Sequence, residues 1–172
     1  MLLQMEAAFK QAAGDGASAG KSLEDAAKAN PGDLQRQLLF ARWQIQQKKL
    51  DDALAFLTKL AADFPQETAP KLLQAQVHLM KGEIAESTAI ATQLQDVPDA
   101  KAAASFLLAA ADMREKDPEA AAKELAAMAE AMPNNGLINL LQSEVSTAQG
   151  DYAGAIDDLS GSLDVLPIRA QA

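Results

Sequence analysis

Gly20, Lys21 and Ser22 close the stretch GDGASAGKS, residues 14–22, in the order that ends a phosphate-binding loop. That chemistry needs G-x-x-x-x-G-K-[ST]. Backbone N–H groups cradle the phosphates, and the Lys and hydroxyl reach the β/γ-phosphates and Mg²⁺. The opening glycine would have to fall at Asp15, with Gly14 one residue early and Gly16 one late. A carboxylate in that place repels phosphate. The preceding MLLQMEAAFKQAA also lacks the β-branched run of a buried strand. The sequence argues against a nucleotide site.

The remaining candidates for chemistry are few. His78 is the single histidine and there is no cysteine, which excludes disulfides, thiol catalysis and Cys-based metal sites. H-E-x-x-H and the D-x-[DN]-x-[DN]-G calcium loop are absent. The adjacent acids Asp51-Asp52 and Asp157-Asp158 are not paired carboxylates, because neighbours on a helix point in different directions; near helix starts they are partners of the helix dipole. Ser18, Ser22, Ser87 and Ser143 have no identifiable base partner, and Trp43 and Phe106 are expected to be packing residues. The expectation is a chain with no catalytic residue, no cofactor and no metal.

Composition points to helices that approach closely. Hydrophobic residues make up 49% of 172 residues but aromatics only 4%, with alanine carrying much of the apolar count. No apolar run is long enough to cross a membrane. A net charge of −9 opposes nucleic acid and anionic membrane surfaces, both of which select lysine and arginine. MLLQMEAAFKQ has no basic stretch followed by an apolar run, so a natural start at Met1 implies the cytoplasm, while a fragment leaves the cell envelope open.

The opening stretch has a copy. GDYAGAIDDL, residues 150–159, matches it at Gly14/Gly150, Asp15/Asp151, Ala17/Ala153, Ala19/Ala155 and Leu23/Leu159, an offset of four periods of 34 residues. Three ladders keep that period: Ala19, Ala53, Ser87, Ala121, Ala155; then Leu23, Leu57, Ala91, Leu125, Leu159; then Pro31, Pro65, Asp99, Pro133, Pro167, with Pro98 one residue early. A small residue lets a paired helix approach, the Leu one turn later fills the core, and the Pro ends the helix. Turns are expected at 14–16, 48–50, 82–84, 116–118 and 150–152, with Asp15, Asp51, Asp52, Glu83, Asp117, Glu119 and Asp151 capping or flanking the helix that follows. The predicted units run about 1–33, 34–67, 68–101, 102–135 and 136–169, a single array over 1–172 and part of a longer one. Leu57, Leu125, Leu159, Ala53 and Ala155 should be buried. Ile156, Leu159, Leu163 and Leu166 in the last helix should include residues that face a further unit.

With this period and signature the chain resembles the tetratricopeptide repeat family over nearly its whole length; QGDYAGAIDDL is the nearest copy and KKLDDALAFLTKLAADFP the next. The first-helix signature departs from the family. Positions 4 and 11, usually bulky, hold Gln37, Lys71, Ser105, Asn139 and Gln44, His78, Asp112, Ser146. The resemblance implies an all-α, right-handed superhelical solenoid of about five antiparallel helix hairpins. It also implies a non-catalytic scaffold that holds a protein or peptide segment in a concave groove. Groove candidates are Leu38, Arg42, Ile45, Leu72, Gln76, Leu79, Phe106 and Met113, where the apolar members either grip a partner or form core. The lysines and asparagines with which some members hold acidic C-termini are not matched; only Arg42 suits a carboxylate. The alternative reading is a spacer within a longer repeat protein, of the Ala/Leu-rich style seen in bacterial envelope and polysaccharide-export assembly. Self-association through an uncapped end belongs to the same picture. Charge varies along the chain: unit two is +1, unit four −3 and residues 136–172 are −4.

Overall fold

The computed structural model describes residues 16–132 and 135–165, and every regular element among them is an α-helix. In chain order these are α1 (Gly16–Ala29), α2 (Leu34–Gln46), α3 (Leu50–Asp63), α4 (Ala69–Lys81), α5 (Ile84–Leu94), α6 (Pro98–Glu115), α7 (Pro118–Ala131), α8 (Gly136–Ala148) and α9 (Tyr152–Val165). The all-α hairpin architecture expected from the ladders is the one observed. The chain divides into two compact units, Met1–Lys81 and Gly82–Ala172. In the first, α2 packs between α1 and α3, and α4 packs on α3 and touches α2. In the second, α6 packs between α5 and α7, and α8 packs between α7 and α9 and touches α6.

The turn inside each hairpin repeats with the period of the sequence. Lys48, Gly82, Lys116 and Gly150 all have positive φ, at 57°, 81°, 63° and 81°. Around three of them the same pair of backbone bonds closes the preceding helix. Lys48 N–H donates to Ile45 O and Lys49 N–H to Gln44 O, both at 2.9 Å; Lys116 and Asp117 donate to Met113 and Asp112, and Gly150 and Asp151 to Thr147 and Ser146. This pairing is a Schellman motif, which satisfies carbonyls that a helix end leaves open and needs a left-handed residue at its hinge. Gly14 holds the same rung but lies, with Asp15, outside the described residues.

The next helix begins at once. Asp117 Oδ1 accepts from Ala120 N–H and Asp151 Oδ1 from Gly154 N–H, each at 3.0 Å. Glu83 holds the matching cap position without such a side-chain bond, while Asp51, Asp52 and Glu119 sit in first turns. Of the first helices, α2 is capped by Asp33 and α8 by Asn135. Each cap contributes about 1 kcal/mol.

The small-residue ladder is buried throughout: Ala19, Ala53, Ser87 and Ala121 are fully inaccessible and Ala155 nearly so. On the second ladder Leu23, Leu57, Ala91 and Leu125 are buried, but Leu159 is 42% exposed, against expectation. The reason is its place. Leu57 on α3 is covered by α4 and Leu125 on α7 by α8, whereas α9 packs, among the described helices, on α8 alone. Leu163 and Leu166 lie outside the described side chains.

The proline ladder has two meanings. α1 ends at Ala29 ahead of Pro31, and α3 at Asp63 ahead of Pro65, as a helix-terminating role requires. Pro98 instead opens α6, where its missing N–H costs nothing, so this first helix starts before the expected boundary at 102. Pro133 and Pro167 lie outside the described residues. The polar residues at repeat position 4 also acquire a role. Gln37 is buried, and its Nε2 donates to Ala27 O at 2.8 Å and to Asn30 O at 3.0 Å, capping the end of α1. Lys71 does the same more loosely, donating to Pro65 O at 3.5 Å.

Candidate functional site

Gly20, Lys21 and Ser22 sit within α1, after its first turn. Backbone N–H groups at such positions are committed to carbonyls four residues back and cannot cradle phosphate. Gly20 serves packing instead: a β-carbon there would overlap the indole of Trp43. Trp43 in turn stacks on Phe40, with centroids 6.1 Å apart, and Phe40 meets Phe56 edge-on at 5.2 Å.

Other sequence candidates are also placed. His78 is half-buried on α4. Asp51 accepts from Lys81 Nζ at 2.9 Å, and Asp158 from Ser146 Oγ at 3.0 Å. Among the described residues no three His, Asp or Glu side chains are grouped to hold a metal ion, and no helix is long and apolar enough to cross a membrane. Asp112 has its carboxyl pushed above the usual range by burial first, then by the nearby charges of Asp117, Glu124 and Glu115. Exposed Glu24 is held below it by a hydrogen bond from Lys28.

The eight groove candidates separate by burial. Leu38, Ile45 and Leu79 are buried; Leu38 and Ile45 join Ala41, Leu57 and Val77 in the core of the first unit, so these three are core residues and offer a partner nothing to grip. Arg42 and Gln76 are exposed and Leu72 is half-buried. Phe106 and Met113 are half-buried against the second unit's core. The split follows from helix geometry: α2 has cores on two sides, with Leu38, Ala41 and Ile45 toward α3 and α4 and Phe40 toward α1. Only a narrow third strip stays open.

That strip can be traced in each unit. On α2 it runs through Gln35, Arg42 and Gln46, and on α4 through Gln76 and Met80, all exposed. In the second unit it runs through Ala103, Phe106, Ala110 and Met113 on α6, and through Leu137, Leu140, Glu144 and Thr147 on α8. Leu137 is 66% exposed and Leu140 45%. These two leucines are absent from the sequence-derived set, although a signal existed: Leu140 is the fourth rung of Leu38, Leu72, Phe106. The first unit thus presents a mostly polar strip that carries Arg42 and Met80, and the second a mostly apolar strip whose alanines leave room between larger side chains.

Recurrent helix hairpins with a left-handed hinge residue every 34 residues and a buried small-residue rung define a helical repeat protein. Residues 11–77 match the family model described as tetratricopeptide repeat. Those residues carry the tetratricopeptide repeat, and the same hairpin recurs through Val165. No curated protein matches the sequence. Solved structures share the fold at low identity. The thermophilic TPR protein TTC0263 of Thermus thermophilus is 17% identical, with a TM-score of 0.81 over 96% of this chain and 90% of that one. MamA 41-end from Desulfovibrio magneticus RS-1 is 13% identical, with a TM-score of 0.70 over 95% and 93%. A further MamA structure is 14% identical, with a TM-score of 0.68 over 92% and 93%. At these identities the likeness concerns the fold.

Proposed function

We propose that the chain is a non-catalytic scaffold that binds a segment of a partner protein on the open strip of its first helices. The observation that supports this most is the exposure of Leu137 and Leu140 on the strip that also holds half-buried Phe106 and Met113. Large exposed apolar side chains that line up with small ones are the surface pattern of partner anchoring. Repeat arrays use extended surfaces of this kind for binding. The exposed Glu144 beside the leucines, and the net charge of −4 over residues 136–172, favour a partner with basic residues next to its apolar anchors.

A second reading rests on a different observation. Tyr152, Ile156 and Leu159 of α9 are exposed, at 68%, 63% and 42%, on rungs that hold buried or half-buried residues in α3, α5 and α7. This favours a chain that continues as a longer array or is covered at that end by another protein, with spacing as its role.

One experiment separates them. A photo-crosslinking residue replaces Thr147, at the end of the α8 strip, and the adducts are identified by mass spectrometry in the parent and in Leu137→Glu/Leu140→Glu. The scaffold reading expects a saturable adduct that the double variant loses while its thermal midpoint stays close to the parent. The same adducts from both proteins refute it.

A further inference from the structure

The open strip of the second unit has a spacing of its own. On α6 it runs through Asp99, Ala103, Phe106, Ala110 and Met113, and on α8 through Leu137, Leu140, Glu144 and Thr147. The steps alternate between three and four residues on both helices. That alternation is the 3.5-residue spacing of a coiled-coil seam, the line along which one helix accepts another. At about 100° per residue, these side chains stay within about 60° of one line on each helix. The chain reverses twice between α6 and α8, so the two run the same way, and they touch. Phe106 and Leu140 hold equivalent rungs one period apart. Consecutive repeats differ by a small rotation, so both strips border one groove. On their buried faces α6 and α8 already share one helix, α7.

The relief of the groove suits a helix better than an extended chain. Ala103 is exposed and Ala110 half-buried, and each is followed three residues on by a large side chain, Phe106 and Met113. The two alanines are seven residues apart, about 10.5 Å along α6. A helix repeats its own face over the same distance of about 10.5 Å, so large side chains seven residues apart enter both spaces. An extended chain repeats its face about every 6.8 Å and misses the second space by at least about 3 Å. The charge has one sign. Within the same arc, the charged residues described on α6 and α8 are Asp99 and Glu144, both exposed.

We infer that this groove takes an amphipathic α-helix of a partner protein, with lysine or arginine beside its apolar stripe. Two large apolar side chains seven residues apart enter the spaces over Ala103 and Ala110, Leu137 and Leu140 form the facing wall, and the basic residues meet Asp99 and Glu144. The inference rests on the scaffold reading and adds the conformation and charge of the bound segment.

The full chain is titrated into a fluorescent, capped, alanine-based peptide of about 15 residues, ~22 Å long as a helix, with leucines in heptad spacing and lysines beside them. A second peptide of the same composition carries its leucines at every second residue, and a third has glutamate in place of lysine. The expected result is saturable binding of the first by fluorescence anisotropy, at least about tenfold tighter than either of the others. Its Cα chemical shifts in the bound state are helical. Ala103→Leu adds apolar surface but fills one space, so it weakens the first peptide at least about fivefold while its thermal midpoint reports that it is folded. The peptide comparison on the unmodified chain stands even where that variant does not fold. Equal binding of the first two peptides, extended shifts in the bound state, or unchanged or tighter binding by folded Ala103→Leu overturns the helix. Equal binding of the first and third overturns the assigned charge. In each of these cases the strip still binds, and the Thr147 adducts decide the scaffold reading separately. No saturation by the first peptide overturns the inference whatever those adducts show.

Discussion

Leu125 and Leu159 occupy the same rung one period apart in the same compact unit, yet one is fully buried and the other 42% exposed. The same truncation at both sites therefore isolates burial from residue type and helix position. Leu125→Ala removes three carbons from a cluster that includes Ala109, Ala121, Met128, Ile138 and Val145, and leaves a cavity that helices on both sides prevent from collapsing. For such a site the cost is about 3–5 kcal/mol. Leu159→Ala loses transfer free energy only for its covered part and leaves no enclosed void. Taking about 2 kcal/mol for full burial of a leucine, it costs about 1 kcal/mol. In urea, with a slope near 2 kcal/mol/M, the midpoints should fall by about 1.5–2.5 M and by about 0.5 M. The assay is a urea titration followed by helical circular dichroism. Both substitutions lie in the second unit, so they report on the same transition whether or not the two units unfold together. Equal shifts for the two variants would refute the assignment of Leu159 to an open face. A Leu125→Ala midpoint within error of the parent would refute the register of the whole ladder.

The left-handed hinge makes a prediction of opposite sign at neighbouring rungs. Lys116→Gly should raise stability by about 0.5–1 kcal/mol by relieving a β-carbon in that conformation, and Gly150→Ala should lower it by about 1–2 kcal/mol; thermal melts check both, and a Lys116→Gly that destabilises counts against the hinge. Asp112 supplies a pH dependence. Its folded pKa is raised above the unfolded value, so the native state holds the extra proton and stability falls as pH rises from the ordinary aspartate range through the folded pKa. Asp112→Asn should therefore stabilise at neutral pH, with the gain fading as pH falls below about 4; a gain that persists unchanged in acid would show that charge is not its cause.

The fold was legible because its determinants are local and repeat. Ala53, Leu57 and Pro65 each carry their reason in their residue type, and the period repeats the evidence. The hinge was legible only in part. Gly82 and Gly150 mark it, but Lys48 and Lys116 do not look like turn residues, and only their spacing from the glycines identifies them. The α5–α6 junction was misread for a comparable reason. A proline ends one helix or opens the next according to backbone context on both sides, and Pro98 does the second. Leu159 was misassigned because a rung predicts burial only where a following helix covers it, and among the described helices α9 packs on α8.

The surface was less legible, and the groove set shows why. Leu38, Leu72, Phe106 and Leu140 are equivalent in sequence but run from buried to 45% exposed. Whether such a residue is core or contact depends on the rotation of the first helix, and rotation is set by what fills positions 4 and 11. Gln37 occupies one of these and spends its amide on the end of α1. Gln44 occupies the other and leaves its carbonyl oxygen unpaired, facing a side of α2 where the repeat pattern expects only packing. The polar substitutions that weakened the family signature are thus the residues that distinguish this chain's surfaces from those of a generic repeat. A consensus reading discards them as noise. Physically they have to be accounted for first, because burying an amide is costly unless it finds a partner, as Gln37 does at the end of α1.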